Sequence, residues 1–237
     1  MTLSIIIPMY NEKETIRLVV DQLDALQYPE SVKSVEIVIV DDCSSDGSVE
    51  IAADLANARD HVILVRHLVN QGKGAAVRSG IAQSSGDTLL VRDADLELSV
   101  EDIPPMILAM EELNVEFVNG SRYMAGVNRP LSSYRRFLAN RFFTFLTSLI
   151  IDVKLTDMAC GYKLFKRELY DRLVLRENRF GFEAEILIKS LRKQANNIAE
   201  VPVRYFPRYK DGGKKLSNRD ALRILWVVFK YGLFRRK

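Results

Sequence analysis

Asp93, Asp95 and Glu97 stand at alternate positions in Val91-Arg-Asp-Ala-Asp-Leu-Glu97, directly after a short apolar run. Alternation at a strand end turns three such carboxylates toward one side. Like charges crowded there repel, and a divalent cation is their natural neutralising partner. Hard oxygen ligands suit Mg²⁺ or Mn²⁺, which complete their shells with water and substrate phosphates. A solvated acidic turn has the same composition, so the surrounding elements must decide.

Residues 3–7 form a β-branched run ended by Pro8, which reads as a buried first strand. Ile16, Val19, Val20, Leu23 and Leu26 then fall at helical spacing. A second strand at 35–40 is closed by Asp41-Asp42-Cys-Ser-Ser-Asp-Gly-Ser48, rich in turn formers and helix caps. A helix through Leu55, a strand at 62–65, a helix at 72–83, a strand at 88–91, a helix at 103–113 and a short strand from Phe117 follow. This alternation predicts an α/β fold, a mostly parallel sheet with helices on both faces. Ligands bind beyond the carboxyl ends of such strands. The tails of the first, second and fourth strands carry Pro8-Met-Tyr-Asn-Glu12, Asp41-Asp42 and Asp93-Ala-Asp-Leu-Glu97, so the three acidic segments are expected in one crevice.

Two nucleotide motifs are absent. There is no G-x-x-x-x-G-K-[ST] loop, and no G-x-G-x-x-G follows the first strand. Asn70-Gln-Gly-Lys-Gly-Ala-Ala-Val-Arg78 instead follows the third strand. Its Lys73 and Arg78, with a helix N-terminus, are candidates to neutralise phosphate.

Composition bounds the rest. The 237 residues, 48% hydrophobic and 27% charged, suffice for one substantial core. A net charge of +3 gives no sign of a nucleic-acid partner. Cys43 and Cys160 are too few for a disulfide framework, which fits a reducing compartment. The first residues lack the basic region of a signal peptide, and no stretch offers roughly 18 uninterrupted apolar residues. The expected location is cytoplasmic.

The sequence resembles the family-2 inverting glycosyltransferases, in the branch of dolichol-phosphate mannose synthases and bacterial polyprenyl-phosphate sugar transferases. The matching pieces run in order: Ile6-Ile-Pro-Met-Tyr-Asn-Glu12, Val40-Asp-Asp-Cys-Ser-Ser-Asp-Gly47, Asn70-Gln-Gly-Lys-Gly74, Asp93-Ala-Asp-Leu-Glu97 and Asn119-Gly-Ser-Arg122. Then come Thr156-Asp-Met-Ala-Cys-Gly-Tyr162, Arg179-Phe-Gly-Phe-Glu183, Glu200-Val-Pro-Val203 and Arg208-Tyr-Lys-Asp-Gly-Gly-Lys-Lys-Leu216. Each is weak alone; collinear over nearly the whole chain, they are specific.

The resemblance implies a GT-A fold and metal-dependent transfer of a sugar from a nucleotide donor, of GDP-mannose or UDP-glucose type, to a polyprenyl or dolichyl phosphate. By position, Pro8, Tyr10, Glu12, Asp41 and Asp42 frame base and ribose, with Lys73 nearby. Asp93 bridges ribose and metal, and Asp95 and Glu97 hold the cation. The family's commoner residue at the last position is glutamine. A metal stabilises the leaving diphosphate, and a phosphate nucleophile, already ionised, needs no general base. Arginines that grip anions are needed instead. Arg122, Arg129, Ser133, Arg208 and Lys215 match the acceptor-phosphate positions, the last two in a lid. Asp157 matches an acid that orients Arg or sugar hydroxyls. The absence of Q-x-x-R-W argues against a processive polysaccharide synthase. Alternatives are a different acceptor, such as a lipid-linked saccharide, and a sugar nucleotidyltransferase, which ordinarily carries a glycine-rich basic loop after its first strand.

Residues 132–151 and 220–237 mix basic and aromatic residues at helical spacing, as helices lying in a membrane interface do. The expected organisation is a nucleotide-sugar core over 1–130, an interface helix over 131–155, an acceptor-side part with a flexible basic loop over 156–216, and a C-terminal amphipathic helix over 217–237. Expected partners are the nucleotide sugar, the lipid phosphate and the cytoplasmic membrane face, with a membrane protein or a second copy as a further anchor.

Overall fold

The structure is a computed structural model that describes residues 1–126, 130, 133–193, 197–208 and 218–233, with backbone alone at 218 and 219. In chain order the elements are β1 (Thr2–Met9), α1 (Ile16–Asp24), β2 (Ser34–Asp41), α2 (Ser48–Ala58), β3 (Val62–Arg66) and α3 (Lys73–Gln83). Then follow β4 (Thr88–Val91), α4 (Ile103–Glu112), β5 (Phe117–Ser121), α5 (Tyr134–Ile151), β6 (Lys163–Lys166), α6 (Arg167–Asp171), α7 (Gly181–Lys193), β7 (Ile198–Pro202) and α8 (Asn218–Leu233).

Seven strands form one sheet in the order β3-β2-β1-β4-β6-β5-β7. Strands β1 to β4 pair parallel, and β6 enters antiparallel between β4 and β5. Strands β6 and β7 therefore complete the same sheet as β1 to β5. The sequence reading missed β6, whose Lys163-Leu-Phe-Lys166 is flanked by charge. Lys163 is fully buried there because its ammonium reaches Asn119 Oδ1 at 2.8 Å.

Alternation along the central strands divides the core. Ile5, Ile7, Ile37 and Ile39 face α1, α2 and α4, while Ile6, Val38 and Val40 face α3, α7 and α8. Pro8 does not end β1, as the sequence suggested, but lies inside it. Pairing with β4 stops at Ile6↔Val91, and Ile6 accepts the N–H of Arg92 at 3.0 Å. The missing N–H of Pro8 points to that same side, where β4 has already turned away, so no ladder bond is lost.

Both basic-aromatic segments are helices that dock one face and leave the other apolar. In α5, Tyr134, Leu138, Phe142, Phe145 and Leu149 are exposed at spacings of four, four, three and four. In α8, Ile224, Val227 and Val228 are buried against α7 while Leu222, Trp226, Phe229 and Leu233 face out. No helix among the described residues is long and apolar enough to cross a membrane.

Close packing of α3 on the sheet depends on Gly80. A Cβ there would stand 2.5 Å from Ile6 Cγ2 and 2.9 Å from Val40 Cγ2. Gly80→Val is therefore expected to cost about 1–3 kcal/mol of stability by overpacking. Urea denaturation measures it, and an unchanged midpoint would show that α3 can stand off from the sheet.

Candidate active site

The carboxyl ends of β1, β2 and β4 lie side by side, as the sheet order requires. Glu12 follows β1, Asp41 and Asp42 close β2, and Asp93, Asp95 and Glu97 follow β4. The acidic triplet is not a strand continuation. The chain bends after Val91, and the Asp95 carboxylate accepts the N–H of Glu97 at 3.1 Å in a turn of its own. Asp93 consequently parts from Asp95 and Glu97, which both face Arg208. Asp93 turns to Lys73, whose ammonium lies 2.6 Å away and also meets Glu183 at 2.5 Å. Asp95 meets the Arg208 guanidinium at 3.1 Å, and Glu97 accepts the Arg208 backbone N–H at 3.1 Å. Arg208 also clamps Glu12 through two bonds of 3.0 Å.

Burial raises the Asp93 carboxyl, but the Lys73 ammonium beside it outweighs burial and holds it low. Asp95 goes the other way: burial, then repulsion from Asp93 and Glu97, push it up to about 6 despite Arg208. A carboxylate so placed favours an added cation. Among the described residues no three His, Cys, Asp or Glu side chains converge as a ligand set. Mg²⁺ and Mn²⁺ need fewer, because one or two carboxylates plus phosphate oxygens suffice. Asp95 and Glu97 fit that requirement.

Asp42 is directed inward. Its two oxygens accept the N–H groups of Gln71 and Gly72, each at 2.8 Å, and one lies 2.8 Å from His67 Nδ1. His67 is held from its other side by Ser79 at 2.9 Å. Asp41 accepts Ser44 N–H at 3.2 Å. Both acids are buried, so they shape the crevice wall and the loop that leads to Lys73. Pro8 and Tyr10 lie half-buried at the same edge. Arg78 does not reach the crevice; it binds the Glu177 carbonyl at 2.7 Å.

The second half of the crevice is built on Asp157, which is fully buried. Its carboxylate accepts Arg122 Nε at 2.7 Å and Nη2 at 3.0 Å, and Asn140 Nδ2 at 2.7 Å. Burial alone would raise this carboxyl; the Arg122 guanidinium, with the Asn140 amide, overrides it and lowers it. Asp157 is thus a poor base and a rigid seat for Arg122. Arg122 also lies 5.2 Å from the Tyr205 ring, and Tyr123 beside it meets Phe137 of α5 edge-on at 5.4 Å. Ser133, exposed, stands at the N-cap position of that helix without a capping bond from its side chain. Arg129 and Lys215 lie outside the described residues.

Sequence reasoning gave no role to Glu183, Asn119, Asn140 or Glu200. Glu183 is the second partner of Lys73. Glu200 accepts Thr156 N–H at 2.8 Å and Asn119 Nδ2 at 3.0 Å, fixing the turn that carries Asp157. The quoted segments containing Asn119, Glu183 and Glu200 were the available signal; Asn140 offered none.

A family model described as Glycosyl transferase family 2 matches residues 4–174. A dolichyl-phosphate beta-glucosyltransferase of Trichomonas vaginalis is 27% identical over 244 residues, 99% of this chain and 74% of that protein. The dolichyl-phosphate beta-glucosyltransferase of Homo sapiens is 29% identical over 199 residues, 78% of this chain and 61% of that protein. Among solved structures, glucosyl-3-phosphoglycerate synthase from Mycobacterium tuberculosis with Mn²⁺, UDP and glucosyl-3-phosphoglycerate superposes with a TM-score of 0.74 at 19% identity, covering 100% of this chain and 81% of that one. The same enzyme with Mn²⁺, UDP-glucose and phosphoglyceric acid gives 0.73 at 18%, covering 100% and 81%. The fold is GT-A.

The Arg122–Asp157 pair makes stability pH-dependent with a definite sign. Because the folded carboxyl is held below its unfolded value of about 3.9, its contribution is present above that pH and lost as pH falls through the folded value. Asp157→Asn is expected to cost about 3–5 kcal/mol at pH 7, and the gap to the parent should close on acidification. Denaturation at a series of pH values checks this; a gap independent of pH would remove the ion pair as its cause.

Proposed function

The chain belongs to glycosyl transferase family 2, and from that premise we propose that it transfers glucose from UDP-glucose to a polyprenyl phosphate such as dolichyl phosphate. The observation that carries this reading is the meeting of two charge groups in one crevice. Glu12, Asp95 and Glu97 face Arg208 on the donor side, and Arg122 is locked by Asp157 on the other. The glucosyltransferase relatives support the sugar and the acceptor. UDP in the structural neighbours supports the base.

In this reading Asp95 and Glu97 would hold Mg²⁺ or Mn²⁺, with Asp93 beside them, and the bound ion would supply Lewis-acid stabilisation of the diphosphate leaving group. Lys73, fixed between Asp93 and Glu183 at the N-terminus of α3, adds a further positive charge to that side. Arg122 binds the acceptor phosphate in one orientation, and Arg208, once released from Glu12, closes over the anions. The nucleophile is an ionised phosphate oxygen. No side chain needs to take a proton, which agrees with the positions of the two histidines. His61 pairs with Asp24 and His67 is buried between Asp42 and Ser79.

The exposed apolar rows on α5 and α8 support docking at the cytoplasmic membrane face, aromatic rows toward lipid. Cationic residues beside them, Arg135, Arg136 and Arg141 on α5, favour anionic lipid at about 1 kcal/mol per charge near the surface.

Two measurements test this. Labelled glucose should pass from UDP-glucose to dolichyl or undecaprenyl phosphate with Mg²⁺ or Mn²⁺, and Asp95→Ala should lower turnover roughly 100-fold or more with the fold retained by circular dichroism. No lipid product across UDP- and GDP-sugars, or transfer to 3-phosphoglycerate instead, would sink the acceptor assignment. Separately, Phe145→Glu and Trp226→Glu should each weaken co-sedimentation with anionic vesicles roughly tenfold, the loss of about 1.5 kcal/mol or more of apolar burial. Unaltered sedimentation of both variants would move the docking surface elsewhere.

A further inference from the structure

Glu177 is a buried carboxylate that the transfer chemistry does not use. It lies in the 176–180 loop before α7, and its backbone is pinned on both sides. Its N–H donates to Glu185 at 2.7 Å, and its carbonyl accepts Arg78 Nη1 at 2.7 Å. The next residue, Asn178, accepts the N–H of Ala75 in the first turn of α3 at 3.1 Å.

This loop is the floor on which the Lys73 corner rests. Gly72 has φ +95°, and a Cβ there would stand 2.6 Å from the Asn178 carbonyl oxygen. A Cβ on Gly74 would collide with the Glu177 carbonyl oxygen. The two glycines flanking Lys73 thus let the backbone touch the loop directly, with no side chain between them.

The loop is held from its far side by α8. Arg223 grips the Glu177 carboxylate with two bonds, Nε at 2.8 Å and Nη2 at 3.0 Å, and Tyr231 adds a third at 3.4 Å. Arg179 reaches Asp220 at 3.5 Å. The same Arg223 guanidinium stands 4.2 Å from the ring of Trp226, part of the outward apolar row. A continuous set of contacts therefore runs from Trp226 through Arg223 and Glu177 to Lys73.

We propose that Glu177 is a positioning residue for the donor site, clamped by Arg223 so that the seating of α8 sets where Lys73 stands. This rests on the reading of Lys73 as a ligand of the donor side. The helix that would meet lipid is then also the helix that completes the nucleotide site.

The test uses the full chain with Arg223→Gln and Arg223→Lys. Without ligand, amide hydrogen exchange at Ala75 and Ala76 should speed up roughly five- to tenfold in R223Q. The UDP-glucose KM should rise by a similar factor with kcat within about twofold, and R223K should restore most of both. Exchange and KM unchanged in R223Q, with only the melting temperature lowered, would reduce the clamp to a stability element and overturn the proposal. If R223Q fails to fold, the isosteric Glu177→Gln is held to the same readouts. Parent protein that binds no UDP in the presence of Mn²⁺ would overturn the reading of Lys73, while the exchange experiment still decides whether the clamp sets its position.

Discussion

The arrangement depends on a concentration of negative charge at the carboxyl edge of the sheet. Glu12, Asp93, Asp95 and Glu97 are brought together by strands that are neighbours in space, and no rearrangement of side chains can disperse them. Two unit charges at about 4 Å interact by roughly 4 kcal/mol at an effective dielectric constant of 20. The chain answers with cations from positions far apart in sequence: Lys73 at the head of α3 and Arg208 at the end of the strap after β7. The Asp95 carboxyl is still pushed up to about 6, by burial first and by repulsion from Asp93 and Glu97 second. Carboxylates and cations thus stand in near balance, and on the proposed reading a divalent ion would relieve the repulsion that is left.

That balance explains why the strap runs where it does. Phe206 donates its N–H to the Glu97 carbonyl at 2.8 Å, Tyr205 bridges to Leu98, and Arg208 lands on Glu12 and Asp95. Backbone bonds bring the guanidinium to the carboxylates, and the ion pairs hold it there. On the proposed reading a divalent ion with its phosphates would compete for the same oxygens, so that loading the donor side and freeing Arg208 would be one exchange of cations.

The parallel half of the fold was legible in sequence because its signals are local. Continuous β-branched runs mark β1 and β2, and helical spacing marks α1. The acidic strand ends also followed from order alone, since β1, β2 and β4 must be adjacent for their tails to meet. What escaped was non-local. Lys163-Leu-Phe-Lys166 is too short and too charged to read as a buried strand, and its buried Lys163 is satisfied by Asn119 across the ladder and by the Met158 carbonyl. The resemblance sets Asp42 at the base and ribose, and what the sequence did not show is that its carboxylate also accepts the backbone N–H groups of Gln71 and Gly72. Alternation misread the triplet itself, because Asp95 prefers to accept the N–H of Glu97 over extending the strand.

The helices show how one segment satisfies two demands. A purely core-facing α5 would need polar residues outward, and a purely interfacial one would need no buried face. Instead Thr144 and Thr147 are buried while Phe145 and Leu149 are exposed, and Asn140 on the same helix binds Asp157. The helix that seats the Arg122 partner therefore also presents the apolar row. Its first turn touches Tyr123, next to Arg122, through Phe137. On the proposed reading a phosphate held at Arg122 leaves its hydrocarbon chain at the beginning of that row. The geometry of anion capture and the direction from which a lipid must arrive are then set by a single element.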